Sequence, residues 1–554
     1  MIALILLGVQ AVLIGILSWK TSPNKTEVGH LGAAVYFRQT GKFDVFHVNP
    51  PLTRIVAGLP IALFCSPKYD FNAYSPRPQD RCEWPLGKAF IAANDLDDLR
   101  RYVFLARMAC LPLVLLGGWF GCRFANELYG PGAGIVFLLL WVFSPLVLGW
   151  SATICPDVAA ASMGIVGLYT FWHWLKTPTW KMAMTSGLCL GLMLMTKMTW
   201  IVAVPIWMIL YVSWNLLRKE GESQAGLSQF VIILLAAWYV VNMGYFFDGS
   251  FRRLDDYQFI SGTLTGQTMA QDSPIRPGNR FAGTMLGRLP VPLPKEFVLG
   301  IDTQKLDFER GLESYAMGKY SDRGWWWYYA YLLLLKEPLA TWGLLLLALF
   351  AAGYGVRLPL QNELLLWVPM IGVFVFLSGQ TGFSLHPRYV ILVLPLLYLW
   401  ISRLAVVFSR RRPVFMSLTA IFLLLGIGSG LFVFPNTMAY TNILGGGHEN
   451  APKHLLGSNI DWGQNVYLIR DWRQKHPEAN PLYVTYTQSI PLDTLKLDGQ
   501  GPIPTKPTEG WMLLGVNERF DRTGRYDWLD DYRPIEILGG GIWVYRIDWS
   551  TEKK

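Results

Sequence analysis

The stretch "MIALILLGVQAVLIGILSW", Met1–Trp19, carries no charged residue and is long enough to cross a lipid bilayer as one helix. It has no basic start and no small-residue cleavage motif, so we predict a retained membrane helix and not a removed signal peptide. Similar runs recur along the 554 residues, of which 52% are hydrophobic and only 16% charged. Soluble domains average about 25% charged residues. The sequence therefore predicts an α-helical polytopic membrane protein.

Eleven membrane spans are predicted. The span 182–196 is the least typical of them, because its apolar run is short and contains glycine. The spans are 2–19, 103–121, 131–149, 158–175, 182–196, 200–217, 229–247, 334–353, 364–379, 389–407 and 414–434. The polar intervals 20–102 and 248–325 are too long for simple connections and are predicted to form large outer loops.

The orientation follows from the basic residues of the short loops. With a cytoplasmic N-terminus, the inner short loops hold ten Lys and Arg residues and the outer ones hold two. Because such residues concentrate on the cytoplasmic side, we predict a multi-pass protein of the cell membrane, inner or plasma, with its N-terminus inside. An odd number of spans then places the C-terminal tail outside.

The tail has the character of a small soluble domain. "PLYVTYTQ", "GWMLLGV" and "GGIWVYRI" are short β-prone runs bounded by Gly and Pro, and "NVYLIRDWRQKH" has helical spacing. We predict a transmembrane domain over 1–434 and an extracytoplasmic α/β domain over 435–554.

Charge and cysteine content exclude several classes of function. The net charge of +9 is explained by basic residues that flank membrane helices, so no nucleic-acid partner is predicted. Of the six cysteines, Cys110, Cys122 and Cys189 fall in or beside apolar spans, as packing residues do. Cys65 and Cys82 share the first long loop and could pair if that loop faces an oxidising compartment, and the sequence leaves the pairing open. There is no Cys-x-x-Cys motif, and no metal or cofactor is predicted.

Five unusual polar residues fall on the predicted outer side of the spans. Glu27 and His30 follow span 1, Asp157 follows span 3, Lys197 follows span 5, and Arg388 begins span 10. Ionisable residues at membrane depth are costly and mark functional sites. Carboxylates and cations at one interface suggest a site for an anionic headgroup with acid–base chemistry beside it.

Each of these residues also has a purely structural explanation. Asp157 is placed to cap span 4, and Glu27 to favour the start of a helix through the helix dipole. Lys197 could be a lysine whose side chain extends from a helix end towards water, and Arg388 could be an ordinary residue that flanks a span. His30 alone is more typical of a structural histidine. The conjunction of all five favours the functional hypothesis.

The aromatic stretch "DRGWWWYYAYLLLLKEPLATW", Asp322–Trp342, precedes span 8. Its tryptophans and tyrosines are typical of an interfacial belt, and a platform for a sugar or lipid is the alternative. Lys336-Glu337-Pro338 interrupts the apolar run, so we predict a helix in the membrane plane that bends into the bilayer.

The order of motifs resembles bacterial members of the protein O-mannosyltransferase family, which are GT-C glycosyltransferases of family 39. The matching blocks, from Met1 to about Arg470, are "TGKF" with "NPPLTRIVAGLP", "PD" at Pro156-Asp157, "LMTKMTW", "RGWWWYYAYLLLLKEPL", "HPRYVILVLP" and "GSNIDWGQN". In the first loop the family usually has Asp-Glu, whereas this chain has Thr26-Glu27.

The resemblance implies a GT-C fold and an inverting glycosyltransferase. The enzyme would transfer a hexose or pentose from a polyprenyl-phosphate donor to an extracytoplasmic acceptor, either a protein, a lipid or a glycan. Glu27 and Asp157 are the predicted catalytic residues, with Glu27 favoured as the base. His30, Lys197, Lys336 and Arg388 are predicted to bind the substrate and its phosphate.

Two other functions stay open at the level of sequence. A transporter or flippase would use Glu27, Asp157 and Lys197 as an ion relay, and an inactive family member would fit the loss of the first-loop aspartate. A helix from Thr26 to about Gln39 is predicted to lie along the membrane surface through Leu31, Val35 and Phe37, and to bring Glu27 towards Asp157.

Overall fold

The computed structural model is mostly helical, and it describes residues 1–71, 74, 76, 81–221, 223–268, 274–409, 412–495, 497 and 501–548. Within that part, eight helices are long and apolar enough to cross a membrane. Numbered by the predicted spans, they are span 1 (Ile2–Lys20), span 2 (Leu96–Tyr129), span 4 (Asp157–Lys176), span 6 (Met198–Leu216), span 7 (Leu227–Gly244), span 9 (Leu360–Gly379), span 10 (Pro387–Val407) and span 11 (Pro413–Val433). The polytopic helical fold is confirmed.

The other three predicted spans are broken or short helices. Span 3 is the pair Ala133–Phe143 and Pro145–Ser151, bent by 61°, and span 8 is the pair Tyr328–Lys336 and Leu339–Gly353, bent by 107°. The sharp bend at Glu337-Pro338 agrees with the prediction, because proline cannot continue the hydrogen-bond ladder of the preceding helix. Span 5 is the helix Trp180–Leu194, which has 15 residues.

The first long loop folds into three helices, Lys25–Thr40, Leu52–Phe64 and Glu83–Ala93. The first begins with a capping box, in which the Asn24 side chain accepts from the amide of Glu27 and the Glu27 carboxylate accepts from the amide of Asn24. The prediction that this helix lies along the membrane surface is wrong. Leu31 and Val35 are 1% and 3% exposed, because the other two loop helices and the tail pack around them.

The second long loop carries two small pairs of antiparallel strands and one long helix. The strands are β1 (Arg252–Arg253), paired with β2 (Pro290–Val291), and β3 (Ser314–Ala316), paired with β4 (Lys319–Ser321), and the helices are Gly262–Thr265 and Lys295–Arg310. Polar side-chain contacts join this loop to the first. The His47 imidazole lies 2.5 Å from the Glu296 carboxylate. The Arg81 guanidinium lies 2.8 Å from the Asp307 carboxylate.

The tail contains the predicted sheet and helix. Strands β5 (Leu482–Thr485), β6 (Gly510–Gly515), β7 (Glu536–Leu538) and β8 (Ile542–Ile547) form one sheet in the order β5-β6-β8-β7, with only the β5–β6 pair parallel. The helix Val466–Lys475 buries Val466, Ile469 and Trp472. The tail also contacts the first loop, since the amide of Lys25 donates to the carbonyl of Trp462.

The pairing of Cys65 with Cys82, which the sequence left open, is not formed in this structure. Cys65 follows the helix Leu52–Phe64 and Cys82 precedes the helix Glu83–Ala93, and no disulfide joins them.

Candidate functional site

A polar cavity of about 760 Å³ lies between the two long loops and the adjoining ends of spans 4, 6 and 10. Its walls combine four of the predicted site residues with carboxylates, amides and aromatic rings from both loops. The predicted residues on the wall are His30, Asp157, Lys197 and Arg388. Segments that are distant in sequence therefore meet at this point.

Asp157, Lys197 and Arg388 form the charged centre of the cavity. The Lys197 ammonium donates to one carboxylate oxygen of Asp157, and Arg388 Nε lies 3.8 Å from the other. All three side chains are buried, with 2%, 5% and 8% of each residue exposed. That burial excludes the structural explanations given above, in which Lys197 extends towards water and Arg388 is an ordinary flanking residue.

The structure also argues against Asp157 as a cap. Span 4 starts at Asp157, its N-cap position is Pro156, and no side chain caps it. Two cations therefore surround one buried carboxylate, which lies at the helix end where negative charge is favoured.

Arg388 has unused hydrogen-bonding capacity. Its Nε is buried and has no hydrogen-bond partner among the described residues. Its guanidinium lies 5.3 Å from the centre of the Tyr389 ring, and the Lys197 ammonium lies 4.6 Å from the same ring. A guanidinium that is held by ring faces, with a free donor, is suited to bind an anion that enters the cavity.

His30 lines the cavity as predicted, but it is not charged there. Burial, followed by the positive charges of Arg54 and Arg388, holds the pKa of His30 well below its ordinary value. Neither ring nitrogen has a hydrogen-bond partner among the described residues, and the ring lies 4.7 Å from that of Phe46. A neutral imidazole in this position can accept or donate one hydrogen bond to a ligand.

Glu27 does not line the polar cavity. Its carboxylate forms a two-pronged ion pair with Arg107 of span 2, with nitrogen–oxygen distances of 2.8 and 2.6 Å. It also accepts from the backbone amides of Asn24 and Ile154, at 2.9 Å each. The helix brings Glu27 to the segment just before Asp157, in the predicted direction, but Glu27 does not share the cavity with Asp157, because Arg107 and two amides occupy both of its carboxylate oxygens.

Lys336 is likewise absent from the cavity wall. Its ammonium is fully buried and donates to the backbone carbonyls of Met438 and Asn459, at 2.8 and 2.6 Å. Lys336 thus ties the bend of span 8 to the chain that follows span 11. The predicted contact of this lysine with phosphate is not supported by its position.

Several residues of the cavity wall were not predicted from sequence. Arg81 donates to both carboxylate oxygens of Asp307, at 3.0 and 2.8 Å, and to Glu83 at 2.5 Å. Trp84 and Tyr389 add aromatic faces. Arg107 lies behind the wall, and its position could have been noticed in the sequence, because it is an arginine inside the apolar run of span 2. Arg81 and Asp307 could not be singled out in this way, because they lie among other charged loop residues.

An apolar groove adjoins the polar cavity. Its volume is also about 760 Å³, and Met198, Ile201 and Val202 of span 6, Ile301 of the second loop and Phe376 of span 9 supply apolar walls. Five residues line both spaces: Thr199, Gln304, Phe308, Phe376 and Gln380. The charged centre therefore continues into an apolar space between two membrane helices.

The described residues contain no group of three or more His, Cys, Asp or Glu side chains that could hold a metal ion. The chemistry that can be read from this site is anion binding, hydrogen bonding and proton transfer.

The chain is similar in shape to two solved structures of ArnT from Cupriavidus metallidurans. The structure bound to undecaprenyl phosphate has a TM-score of 0.46 and 13% sequence identity, and the apo structure has a TM-score of 0.45 and 12% identity. Each comparison covers 98% of this chain and 97% of the other. No protein-family model matches the sequence, and no curated protein sequence matches it. The resemblance to the protein O-mannosyltransferase family therefore stays a prediction.

Proposed function

We propose that this chain is an integral-membrane glycosyltransferase that moves a sugar from a polyprenyl-phosphate donor to an acceptor on the outer side of the membrane. One observation carries the proposal: a buried centre of one carboxylate and two cations continues into an apolar groove between spans 6 and 9. A donor of this class has the same two parts, a charged phosphate and a long hydrocarbon chain.

Lys197 and Arg388 would hold the phosphate. Arg388 offers a buried and unused donor, and an arginine can bind phosphate through two parallel hydrogen bonds. The groove would hold the first isoprene units, since its walls at Ile201, Val202 and Phe376 are apolar. Gln304 and Gln380 line both spaces and would lie beside the junction of lipid and phosphate.

Asp157 is the carboxylate that supports base catalysis best. The acceptor hydroxyl oxygen would attack the anomeric carbon as the bond from that carbon to the phosphate oxygen breaks. The hydroxyl proton would pass to Asp157, and the polyprenyl phosphate would leave with its charge balanced by Lys197 and Arg388. Attack from the face opposite the phosphate inverts the sugar carbon, as the family resemblance implies.

Glu27 would act as a positioning residue in this mechanism. Its carboxylate accepts from the amide of Ile154, three residues before Asp157, and is itself held by Arg107. The pair therefore fixes the segment that presents Asp157 to the cavity.

The phosphate clamp can be tested with Arg388→Lys and Arg388→Ala. With a polyprenyl-phosphate hexose as donor, both changes should reduce kcat/KM by at least tenfold, since the loss of a charged hydrogen bond costs about 1.5–3 kcal/mol. Arg357→Lys is the matched control, because Arg357 is exposed and, among the described residues, donates to the carbonyl of Ala352 alone. Unchanged donor kinetics in both Arg388 variants would remove Arg388 from the site.

Two alternatives make different predictions. A transporter or flippase would exchange lipid-linked substrate in counterflow assays with liposomes and would not cleave the donor. An inactive relative would bind the donor without releasing the sugar. Donor hydrolysis by the purified chain, lost in Asp157→Asn, would contradict both.

A further inference from the structure

The second long loop exposes an apolar surface close to span 7. Met285, Leu286 and Leu289 are 87%, 57% and 55% exposed, and Phe247 and Phe251 are 40% and 53% exposed. We call these five residues, together with strands β1 and β2, the hairpin foot. Soluble surfaces rarely expose so many large apolar side chains together.

The hairpin foot lies beside the last turns of a membrane helix. The Trp238 indole of span 7 donates to the carbonyl of Pro292, directly after β2, and the Asn242 amide donates to the same carbonyl at 3.3 Å. The Phe251 ring lies 6.0 Å from that of Trp238. Trp238 is six residues before the helix end at Gly244, or about 9 Å along the axis.

The exposed face of span 7 continues into the foot. Leu235, Tyr239 and Met243 are four residues apart on one side of the helix and are 51%, 50% and 50% exposed, as expected for a lipid-facing side. The Phe247 ring lies 5.8 Å from that of Tyr239. The foot thus extends a surface that already faces lipid.

The backbone at the start of the foot is held in an unfavourable conformation. Phe246, Phe247 and Phe251 have φ values of 54°, 57° and 63°, a region that bulky residues rarely adopt. All three rings are exposed. A backbone cost that leaves apolar rings on the surface indicates that something outside the chain covers them.

We propose that the hairpin foot inserts into the interfacial layer of the adjacent membrane leaflet. Met285, Leu286 and Leu289 enter the boundary between headgroups and acyl chains, and Arg288, which is exposed beside them, contacts lipid phosphates. The helix Lys295–Arg310 starts three residues after Pro292 and lines both the cavity and the groove. The foot therefore sets the depth of that helix relative to the bilayer, independently of which reaction the site performs.

The test is a nitroxide at Met285→Cys in the full chain, reconstituted at one copy per lipid nanodisc. Collision with oxygen reports lipid, and collision with a nickel chelate reports water. We expect the oxygen-to-nickel ratio at Met285→Cys to exceed that at Ile535→Cys several-fold, because Ile535 is a 58% exposed apolar residue of the tail. The unsubstituted chain, labelled identically, supplies the background from Cys65 and Cys189, which are partly exposed.

A second variant keeps the test decisive. Replacing Leu286 and Leu289 by Asp beside the labelled site should lower the ratio to that of the Ile535→Cys control, while the circular-dichroism spectrum stays that of the parent. A ratio at Met285→Cys equal to that at Ile535→Cys overturns the proposal. Shielding seen with two copies per disc and lost with one would assign the patch to a contact between copies, and also overturns it.

Discussion

Glu27 and Arg107 are 0% and 1% exposed and form an ion pair that holds the end of span 1, span 2 and the segment before Asp157 together. Arg107 also donates to the carbonyls of Ser18, Thr21 and Ser22. Removing one partner from a buried ion pair leaves an unbalanced charge and costs about 3–5 kcal/mol. We therefore expect Glu27→Gln to lower the unfolding temperature in detergent and to reduce sugar transfer together.

The matched control is Glu363→Gln, which breaks the ion pair with Arg403, since neither residue lines the cavity. It should lower the unfolding temperature and leave kcat of the folded fraction unchanged. If Glu27→Gln abolished transfer at an unchanged unfolding temperature, the positioning role would fail and the base predicted from sequence would be supported.

A buried carboxylate of the tail predicts a pH dependence of stability. Burial raises the pKa of Asp461 to about 6, and its carboxylate accepts from the Tyr486 hydroxyl and the Asn465 amide. The unfolded carboxyl titrates near 3.9, so the folded chain holds the proton up to higher pH. The contribution of Asp461 to stability is therefore fully present below pH 4 and is lost as the pH rises to 6, a difference of about 3 kcal/mol.

Thermal unfolding at pH 4.5, 5.5 and 6.5 measures this contribution. Asp461→Asn removes the titrating group, so its unfolding temperature should depend less on pH than that of the parent. Parallel pH profiles for the two proteins would show that Asp461 does not titrate in this range.

A site residue could be predicted from the sequence when it is a charged residue within or beside an apolar run. Asp157, Lys197 and Arg388 interrupt or border apolar runs on one predicted side, and the structure brings them together. Glu27 stood out for the same reason, but its partner Arg107 is 80 residues away, and nothing local indicated which of the buried charges it would meet. The sequence therefore predicted which charged residues are unusual better than it predicted which residues they pair with.

At the level of elements, the apolar groove between spans 6 and 9 makes a test of the lipid site. Val202→Phe adds bulk to the groove wall and should raise KM several-fold for a long-chain polyprenyl donor, since overpacking excludes the lipid chain. A donor with a short, water-soluble chain should be affected less. Kinetics with the two donors measure the difference.

Met208→Phe is the control for this change. Met208 is on the same span but is 41% exposed and lies outside the groove wall. Equal loss of both donors in Val202→Phe would mean that the groove does not hold the lipid.

Local rules predicted elements well where the cause was local. The bend at Glu337-Pro338 follows from one proline, and the strands of the tail follow from β-prone runs between glycines and prolines. The helix Lys25–Thr40 was also predicted, but not its environment. Its Gly29 and Gly32 approach the helix Glu83–Ala93 and its Ala34 approaches the helix Leu52–Phe64, and that packing depends on residues farther along the chain.

For the whole molecule, the contacts among loops and tail constrain whether the number of membrane crossings between these segments is odd or even. The first loop contacts the second through Arg81 and Asp307, and the tail through Lys25 and Trp462. All three segments therefore lie on one side. Over the described chain, that requires an even number of crossings between the first loop and the second. With the bent span 3 counted as one crossing, this holds only if the short helix Trp180–Leu194 crosses as well.

The short helix has a physical explanation. Its 15 residues span about 22 Å, less than a full bilayer core. Just after this helix, the Lys197 ammonium contacts Asp157, the first residue of span 4. The helix Trp180–Leu194 therefore runs antiparallel to span 4 and ends beside the point where span 4 begins. With eleven crossings, the N-terminus that the sequence predicts to be inside would place the tail outside.

Cysteine labelling with a membrane-impermeant reagent on intact cells tests this count. Ser458 is buried against His386 and is unsuited as a reporter, so the exposed residues Thr177, Ser223 and Ile535 are substituted one at a time. We expect Ile535→Cys to be labelled, and Thr177→Cys and Ser223→Cys to be protected until the membrane is permeabilised. If Trp180–Leu194 did not cross, Thr177 and Ser223 would lie on opposite sides, because only span 6 would separate them. Labelling of one of these two and protection of the other would therefore contradict the eleven-span arrangement.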